Sequence, residues 1–424
     1  MTDKLVSRYK YGGLRELWPF YVAWLLETCS IATLFTTMQR FVSVEYGVKG
    51  ARLGLIVSLF AAMMVIGNVV VGKLADHHCK IKVFCYVIAW EAAFAFLSGF
   101  STSFNQLLIA RALAGMCGSP LPLAFAYVGA RAEGFKASSM FSIVSSITSL
   151  AFIVMPLVIE LIEEMFEITQ SSSFFVRRFG FFLAGTLSGV ASLIGLLFVP
   201  SASNATTTGE PAELSRDQTA SKVWSLATLK TLPNSGMLDI WLSRFFCCWC
   251  HYSVTSTGWA LCKFLYPELT EAQRVYNLVL SVGGATAFIA QSILFNVLDK
   301  SIGSFNTYKL SVGLMITGTA CNLLALRINP YMIMLSYGML WMGSGLSEVC
   351  VVTVLRAKLK ATGDPDRNAA LSNGVVTSFK SLSQILSPMA ANALFWFSRD
   401  GLYIQASAAC IVGLGFAFRA ARVV

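Results

Sequence analysis

The sequence predicts an all-α membrane protein whose twelve transmembrane helices form two six-helix bundles related by pseudo-symmetry. Three observations carry that expectation. Of 424 residues, 56% are hydrophobic and only 13% charged, with a mean hydropathy of +0.66; soluble domains carry about 25% charged residues. Apolar runs of membrane-spanning length recur twelve times, with one long polar stretch between the sixth and the seventh. Finally, the halves echo each other. Ser146–Pro156 in the fifth run and Ser378–Pro388 in the eleventh both read S-x-x-S-L-x-x-I-x-x-P. Asp76 after the second run is echoed by Asp299 after the eighth, and Arg131 after the fourth by Arg356 after the tenth. Ordered echoes at nearly one offset mark a parallel six-helix repeat.

Taken in order, residues 1–16 form a polar, basic tail, and the run that follows is too long for a cleaved signal segment. The first bundle spans residues 17–199, with runs Leu17–Phe41, Leu53–Val71, Val83–Phe100, Phe104–Ala130, Ser138–Ile162 and Phe179–Val199. Residues 200–235, rich in Ser, Thr, Ala and Glu, read as a flexible linker. The second bundle spans residues 236–418, with runs Met237–Leu261, Val275–Leu298, Tyr308–Leu326, Tyr331–Leu355, Ala369–Phe397 and Leu402–Phe418, and residues 419–424 form a short tail. With the N-terminus in the cytosol, 20 of the 32 Lys and Arg lie in cytosolic segments, nine lie outside and three lie within helices. That bias sets the expected orientation, with both tails and the linker cytosolic.

Composition also excludes functions. The net charge of +10 is parcelled out between apolar runs, so it marks no nucleic-acid surface. The 11 cysteines lie in or beside apolar segments, with no pairing framework on loops. Cys247, Cys250 and His251 share one helical face, but a single helix supplies all three, and the reading assigns no metal. No G-x-x-x-x-G-K-[ST] occurs, which argues against an ATPase; neither enzymatic activity nor a cofactor is expected.

The turn between the second and third runs, Val71-Gly72-Lys73-Leu74-Ala75-Asp76-His77-His78-Cys79-Lys80-Ile81-Lys82, is the most legible segment. Gly72 is expected where two helices approach closely, Asp76 to accept at a helix end or pair with a cation, and Lys80 and Lys82 to sit at headgroup level. This pattern resembles the G-x-x-x-D-[RK]-x-G-[RK]-[RK] loop of the major facilitator superfamily, with Cys79 in place of the second glycine and His77 in place of a basic residue. Arg111-Ala112-Leu113-Ala114-Gly115 is similar to that family's R-x-x-x-G motif of helix 4, and Gly115 and Gly118 read as packing sites. Ser381–Pro388 resembles the S-L-x-x-x-x-x-P segment of helix 11 in tetracycline-transporter-like members. Pro156 stands where drug:proton antiporters carry a helix 5 motif, whose glycines are absent here. The sugar-porter signature after helix 6 is absent as well. The resemblance covers nearly the whole chain and implies the major facilitator fold, with helices 1, 4, 7 and 10 lining the cavity.

Charges within the hydrocarbon cost at least about 2.5 kcal/mol each, so each needs a reason. Glu27 lies near the midplane of the first run and is the expected proton carrier, with Arg111 as the fixed charge facing it. Arg244 and His251 on the seventh run, Glu348 on the tenth and Lys380 on the eleventh complete the expected substrate cavity. Snorkelling to the interface is the competing reading for Arg244. Lys380 replaces Thr148 of the repeat, and that loss of symmetry suggests a use in substrate binding. Glu91 has no assignment. Three cations against two acids lean toward an anionic or zwitterionic solute. The expectation is a monomeric, proton-coupled antiporter of a small organic solute working by alternating access, with Asp76 and Asp299 as gate residues. A facilitative uniporter, or a receptor or scaffold on the same fold, is the alternative.

Overall fold

The computed structural model describes residues 17–129, 137–166, 173–199, 237–361 and 369–421, and every regular element among them is a helix. A bilayer core offers no water to backbone groups, so helices that satisfy their own hydrogen bonds are the expected answer to so apolar a chain.

Twelve spans follow. The first three are α1 (Trp18–Glu45), α2 (Ala51–His77) and α3 (Lys80–Phe100). The fourth is broken into α4 (Phe104–Gly115) and α5 (Pro120–Gly129), the fifth is α6 (Ala137–Met165), and the sixth is the short α7 (Phe174–Arg177) running into α8 (Phe179–Phe198). The seventh is α9 (Met237–Ser256) continued by α10 (Gly258–Leu265). The eighth and ninth are α11 (Leu269–Ile289), a π-helical turn (Ala290–Leu294) and α12 (Phe295–Arg327), divided at Gly303, whose φ of 79° turns the chain back. The last three are α13 (Met332–Ala361), α14 (Ala369–Phe397) and α15 (Arg399–Ala421). Among the described residues, eight helical stretches are long and apolar enough to cross a membrane, and one of them, Leu269–Arg327, holds two spans. The described parts of the seventh, tenth and eleventh spans, which carry Arg244, Glu348 and Lys380, are not among the eight.

Within the first half, span 6 packs on spans 1 and 3; within the second, span 12 packs on spans 7 and 9. Two seams join the halves: span 2 against span 11, and span 5 against span 8. Both seams use the S-x-x-S-L-x-x-I-x-x-P echo, each copy met by a glycine of the other half. A Cβ on Gly284 would fall 2.8 Å from the backbone of Phe152 and Ile153, and one on Gly54 would fall 2.4 Å from the carbonyl oxygen of Pro388. Pro156 and Pro388 both lie inside their helices. Polar bonds reinforce the seam between spans 5 and 8. Ser142 Oγ donates to the Gln291 carbonyl, Ser149 Oγ donates to Gln291 Oε1 (2.8 Å), and Ser281 Oγ donates to the Ile153 carbonyl (3.0 Å). Gln291 sits in the π-helical turn, where the widened backbone frees a carbonyl for a neighbour.

Two expectations about the legible turn need correction. The second helix does not stop at Val71 but continues through His77, so Gly72 and Asp76 lie in its last turns and only His78 and Cys79 separate it from the third. Gly72 is also not a close-approach site, since nothing lies within 4 Å of where its Cβ would stand. The tight crossing falls at Gly67, whose Cβ would meet the Gly118 nitrogen at 2.3 Å and the Met116 oxygen at 2.4 Å. Lys80 and Lys82 are exposed, and the side chain of Asp76 is outside the described residues. Asp299 accepts from Ser304 Oγ across the turn at Gly303. The linker, residues 200–235, is outside the described residues, as are both tails apart from 419–421.

Candidate functional site

Charged side chains gather at mid-span in two places, one in each half. In the second half, Glu348 on span 10 is held by two cations. Arg244 Nη2 on span 7 donates to Oε2, and Lys380 Nζ on span 11 donates to Oε1 (3.1 Å). Arg244 Nη1 also donates to Ser347 Oγ (2.7 Å), beside Glu348 on the same helix. The Arg244 side chain is only 4% exposed, so the snorkelling alternative fails: the guanidinium turns inward to its partners. Glu348 and Lys380 keep 21% and 25% of their side chains exposed where three spans converge. One carboxylate between two cations leaves one positive charge in excess.

His251 and Trp341 stand two turns from this cluster. Arg244 and His251 are seven residues apart on span 7, as are Trp341 and Glu348 on span 10, so each pair shares a helix face. The His251 and Trp341 rings meet edge to face, with centroids 5.5 Å apart. Trp341 also meets Phe152 of the first half at 5.0 Å, and Phe152 meets Phe35 of span 1 at 5.6 Å. This aromatic layer crosses the boundary between the halves. Cys247 turns elsewhere, toward the hydroxyl of Tyr308 on span 9 (3.8 Å). Among the described residues no three His, Cys, Asp or Glu side chains come together in a way that could hold a metal.

In the first-half cluster Glu27 and Arg111 are buried and Glu91 is half-buried. Glu27 is fully buried, and its Oε2 accepts from Ser188 Oγ on span 6 (2.7 Å). The Glu91 carboxyl of span 3 lies within hydrogen-bonding reach, while Glu27 Oε1 receives no donor. Two ionised carboxylates offer no hydrogen to share; one proton between them supplies the missing donor. Arg111, expected to face Glu27, makes no ion pair with Glu27 or with Glu91 among the described residues; its charge acts on Glu91 from beyond ion-pair distance. The local sequence explains the placement. A Cβ on Gly115 would fall 2.3 Å from the carbonyl of Phe60, so spans 2 and 4 touch there, and one turn earlier the Arg111 guanidinium lies 4.5 Å over the Phe60 ring. Gly118 (φ 72°) then breaks the helix, and Ser119 N–H donates to Asn68 Oδ1 (2.7 Å). Glu27 therefore points among spans 3 and 6 instead of toward the second half.

Away from the basic turns, ion pairs tie the span ends together. Arg40 on span 1 pairs with buried Glu163 on span 5, and Arg274 on span 8 donates to Glu160 and Glu164 across the seam. An open cleft beside them is lined by Arg40, Glu45 and Arg177, whose charges are already paired.

Sequence reasoning missed Glu91, although it is an acid at mid-span like Glu27, because span 3 is peripheral in the expected fold. It also missed Trp341, Ser347 and Gln291, which carry no pattern in one dimension.

Comparisons with known proteins agree with this architecture. Residues 20–388 match the model of the Major Facilitator Superfamily. A probable 4-methylmuconolactone transporter of Cupriavidus pinatubonensis (strain JMP 134 / LMG 1197) is 28% identical over 111 residues, which is 26% of each chain. Among solved structures, a point mutant of the nucleoside transporter NupG superposes with a TM-score of 0.68 at 14% identity, covering 95% of this chain and 97% of its own. The human organic anion transporter MFSD10 gives 0.67 at 14%, covering 96% and 99%. A bacterial homologue of the human lysosomal transporter Spinster gives 0.66 at 14%, covering 98% of both chains. Twelve spans in two bundles, a family match over most of the chain and relatives that are transporters lead to one assignment: the chain is an integral multi-pass membrane protein and belongs to the Major Facilitator Superfamily.

Proposed function

We propose that this protein is a secondary transporter that moves a small organic anion by alternating access, coupled to a proton. The observation that carries the reading is Glu348 bracketed by Arg244 and Lys380, which leaves one unneutralised cation where three spans converge. A substrate carboxylate replaces water at Lys380 and shares the donors with Glu348. One structural neighbour, MFSD10, is named an organic anion transporter.

The proton site is the Glu27–Glu91 pair with Arg111 behind it. A buried oxygen without a donor, beside a second carboxyl, is an arrangement that one proton completes. Seams built on glycine against backbone suit the rocking of one bundle on the other. The protein works as a monomer. Asp76 and Asp299, at equivalent places in the repeat, act as gate residues, and Asp76→Asn slows turnover more than it weakens binding.

Flux into proteoliposomes, with and without an imposed pH gradient, tests the whole reading. Anion uptake should be driven by the gradient; uptake indifferent to it would leave a uniporter, and no flux of any solute a receptor. Orientation has its own test. Single cysteines at Ser203 and Ser171, in a background without native thiols, should label from opposite sides, with the termini and residues 200–235 cytosolic.

A further inference from the structure

Building on the anion reading, we infer that the Trp341–His251–Phe152 layer is the second half of the substrate site, and that the solute is a compact planar ring carboxylate bearing a polar group opposite its carboxylate. Four observations converge on this. First, the layer and the charge cluster share helix faces. His251 lies seven residues beyond Arg244, and Trp341 seven residues before Glu348. At 1.5 Å rise per residue the separation along the helices is about 10 Å, a length that a substituted six-membered ring carboxylate nearly spans.

Second, the layer holds two polar atoms with no partner among the described residues. Trp341 is 9% exposed, yet its Nε1–H has no acceptor, and His251 Nδ1 is buried with no partner. A buried indole N–H normally finds a partner, and a buried polar group left unmet is destabilising. A hydroxyl or carbonyl on the far end of the ring supplies the acceptor for Trp341 and a partner for His251.

Third, Trp341 is held in place. A Cβ on Gly283 of span 8 would fall 2.8 Å from the indole, so the glycine lets the ring pack flat against that helix. Phe152 closes a second side at 5.0 Å. A side chain so pinned loses little freedom when a ligand ring stacks on it.

Fourth, the layer draws on both halves. Phe35 and Phe152 come from the first, and His251 and Trp341 from the second. A ring wedged there contacts the two bodies that move relative to each other, so ligand shape couples directly to their rocking.

Thermal stabilisation and calorimetric affinity of the purified full-length protein test this with four probes: acetate, cyclohexanecarboxylate, benzoate and 4-hydroxybenzoate. Affinity should rise in that order, with benzoate about tenfold tighter than acetate through ring contacts. Trp341→Leu should bring benzoate down to the level of acetate and leave acetate unchanged. Trp341→Phe keeps a ring but no N–H; it should retain the benzoate preference and lose the gain from the 4-hydroxyl, and it serves should the leucine variant not fold. Equal affinity for acetate and benzoate in the unaltered protein, or an intact ring preference in Trp341→Leu, overturns the inference while the anion reading stands. Binding of no probe, or binding that Lys380→Met leaves untouched, overturns the anion reading and this inference together.

Discussion

Glu27, Glu91 and Arg111 in the first half, and Arg244, Glu348 and Lys380 in the second, are both three-charge clusters at mid-span. Their compositions are inverted. Two acids and one cation stand against two cations and one acid, and Glu27 of the first is fully buried while Glu348 and Lys380 of the second keep 21% and 25% of their side chains exposed. The clusters stand on non-equivalent spans of the repeat, 1, 3 and 4 against 7, 10 and 11, so the halves differ in where they place charge as well as in its sign. The lesson is that a charge needs solvent access to bind a solute, and needs seclusion to hold a proton tightly. The packing beneath the clusters stayed symmetric: each S-x-x-S-L-x-x-I-x-x-P copy still meets a glycine of the opposite half.

The strongest way to break the comparison is at Lys380. Lys380→Met neutralises the excess charge, and anion uptake should fall roughly 100-fold, since losing one member of a buried charge group costs about 2–5 kcal/mol. Initial rates in proteoliposomes read this directly, and uptake within about threefold of the unaltered protein would remove Lys380 from the site. Next comes Glu27→Gln, which should abolish accumulation driven by a pH gradient yet leave counterflow exchange running. Glu91→Gln should give the same split in milder form, because Glu27 retains Ser188 as a donor. Should Glu27→Gln still concentrate solute on a pH gradient alone, the first-half cluster is not the proton site, and Glu348 becomes the acid to test.

A smaller effect addresses the symmetry of the seams. Gly54→Val and Gly284→Val each force a branched side chain onto backbone closer than 3 Å, and each should lower stability by about 1–3 kcal/mol, read as melting temperature in detergent. Similar losses fit symmetric packing. A much larger loss at Gly284 would mean that the Ser142 and Ser149 bonds to Gln291 make that seam the stiffer one. The smallest change is expected for Arg274→Gln, which removes an exposed ion pair between the halves. Exposed pairs contribute little, so turnover should shift by no more than about twofold.

What was legible in one dimension was whatever depends on local chemistry. Twelve apolar runs, the polar stretch between two sixes, the repeated serine–proline segments and the presence of Glu27, Arg111, Arg244, Glu348 and Lys380 within the runs follow from transfer free energy and from the need of each helix to satisfy its own backbone. Which of those charges meet was decided by tertiary structure. The rotation of a helix about its axis is set by packing against its neighbours, and no hydropathy pattern records it. Thus Arg111 lies over the Phe60 ring because Gly115 seats span 4 on span 2, while Arg244 turns inward because Ser347 and Glu348 meet it there. Gly72, for all its place in a motif, meets none of the described residues, and Gly67, earlier in the same helix, makes the crossing. Trp341 could be placed beside His251 and Phe152 only once spans 5, 7 and 10 had come together. The energy that selects such a meeting comes from groups far apart in the chain, and it exists only after the helices have packed.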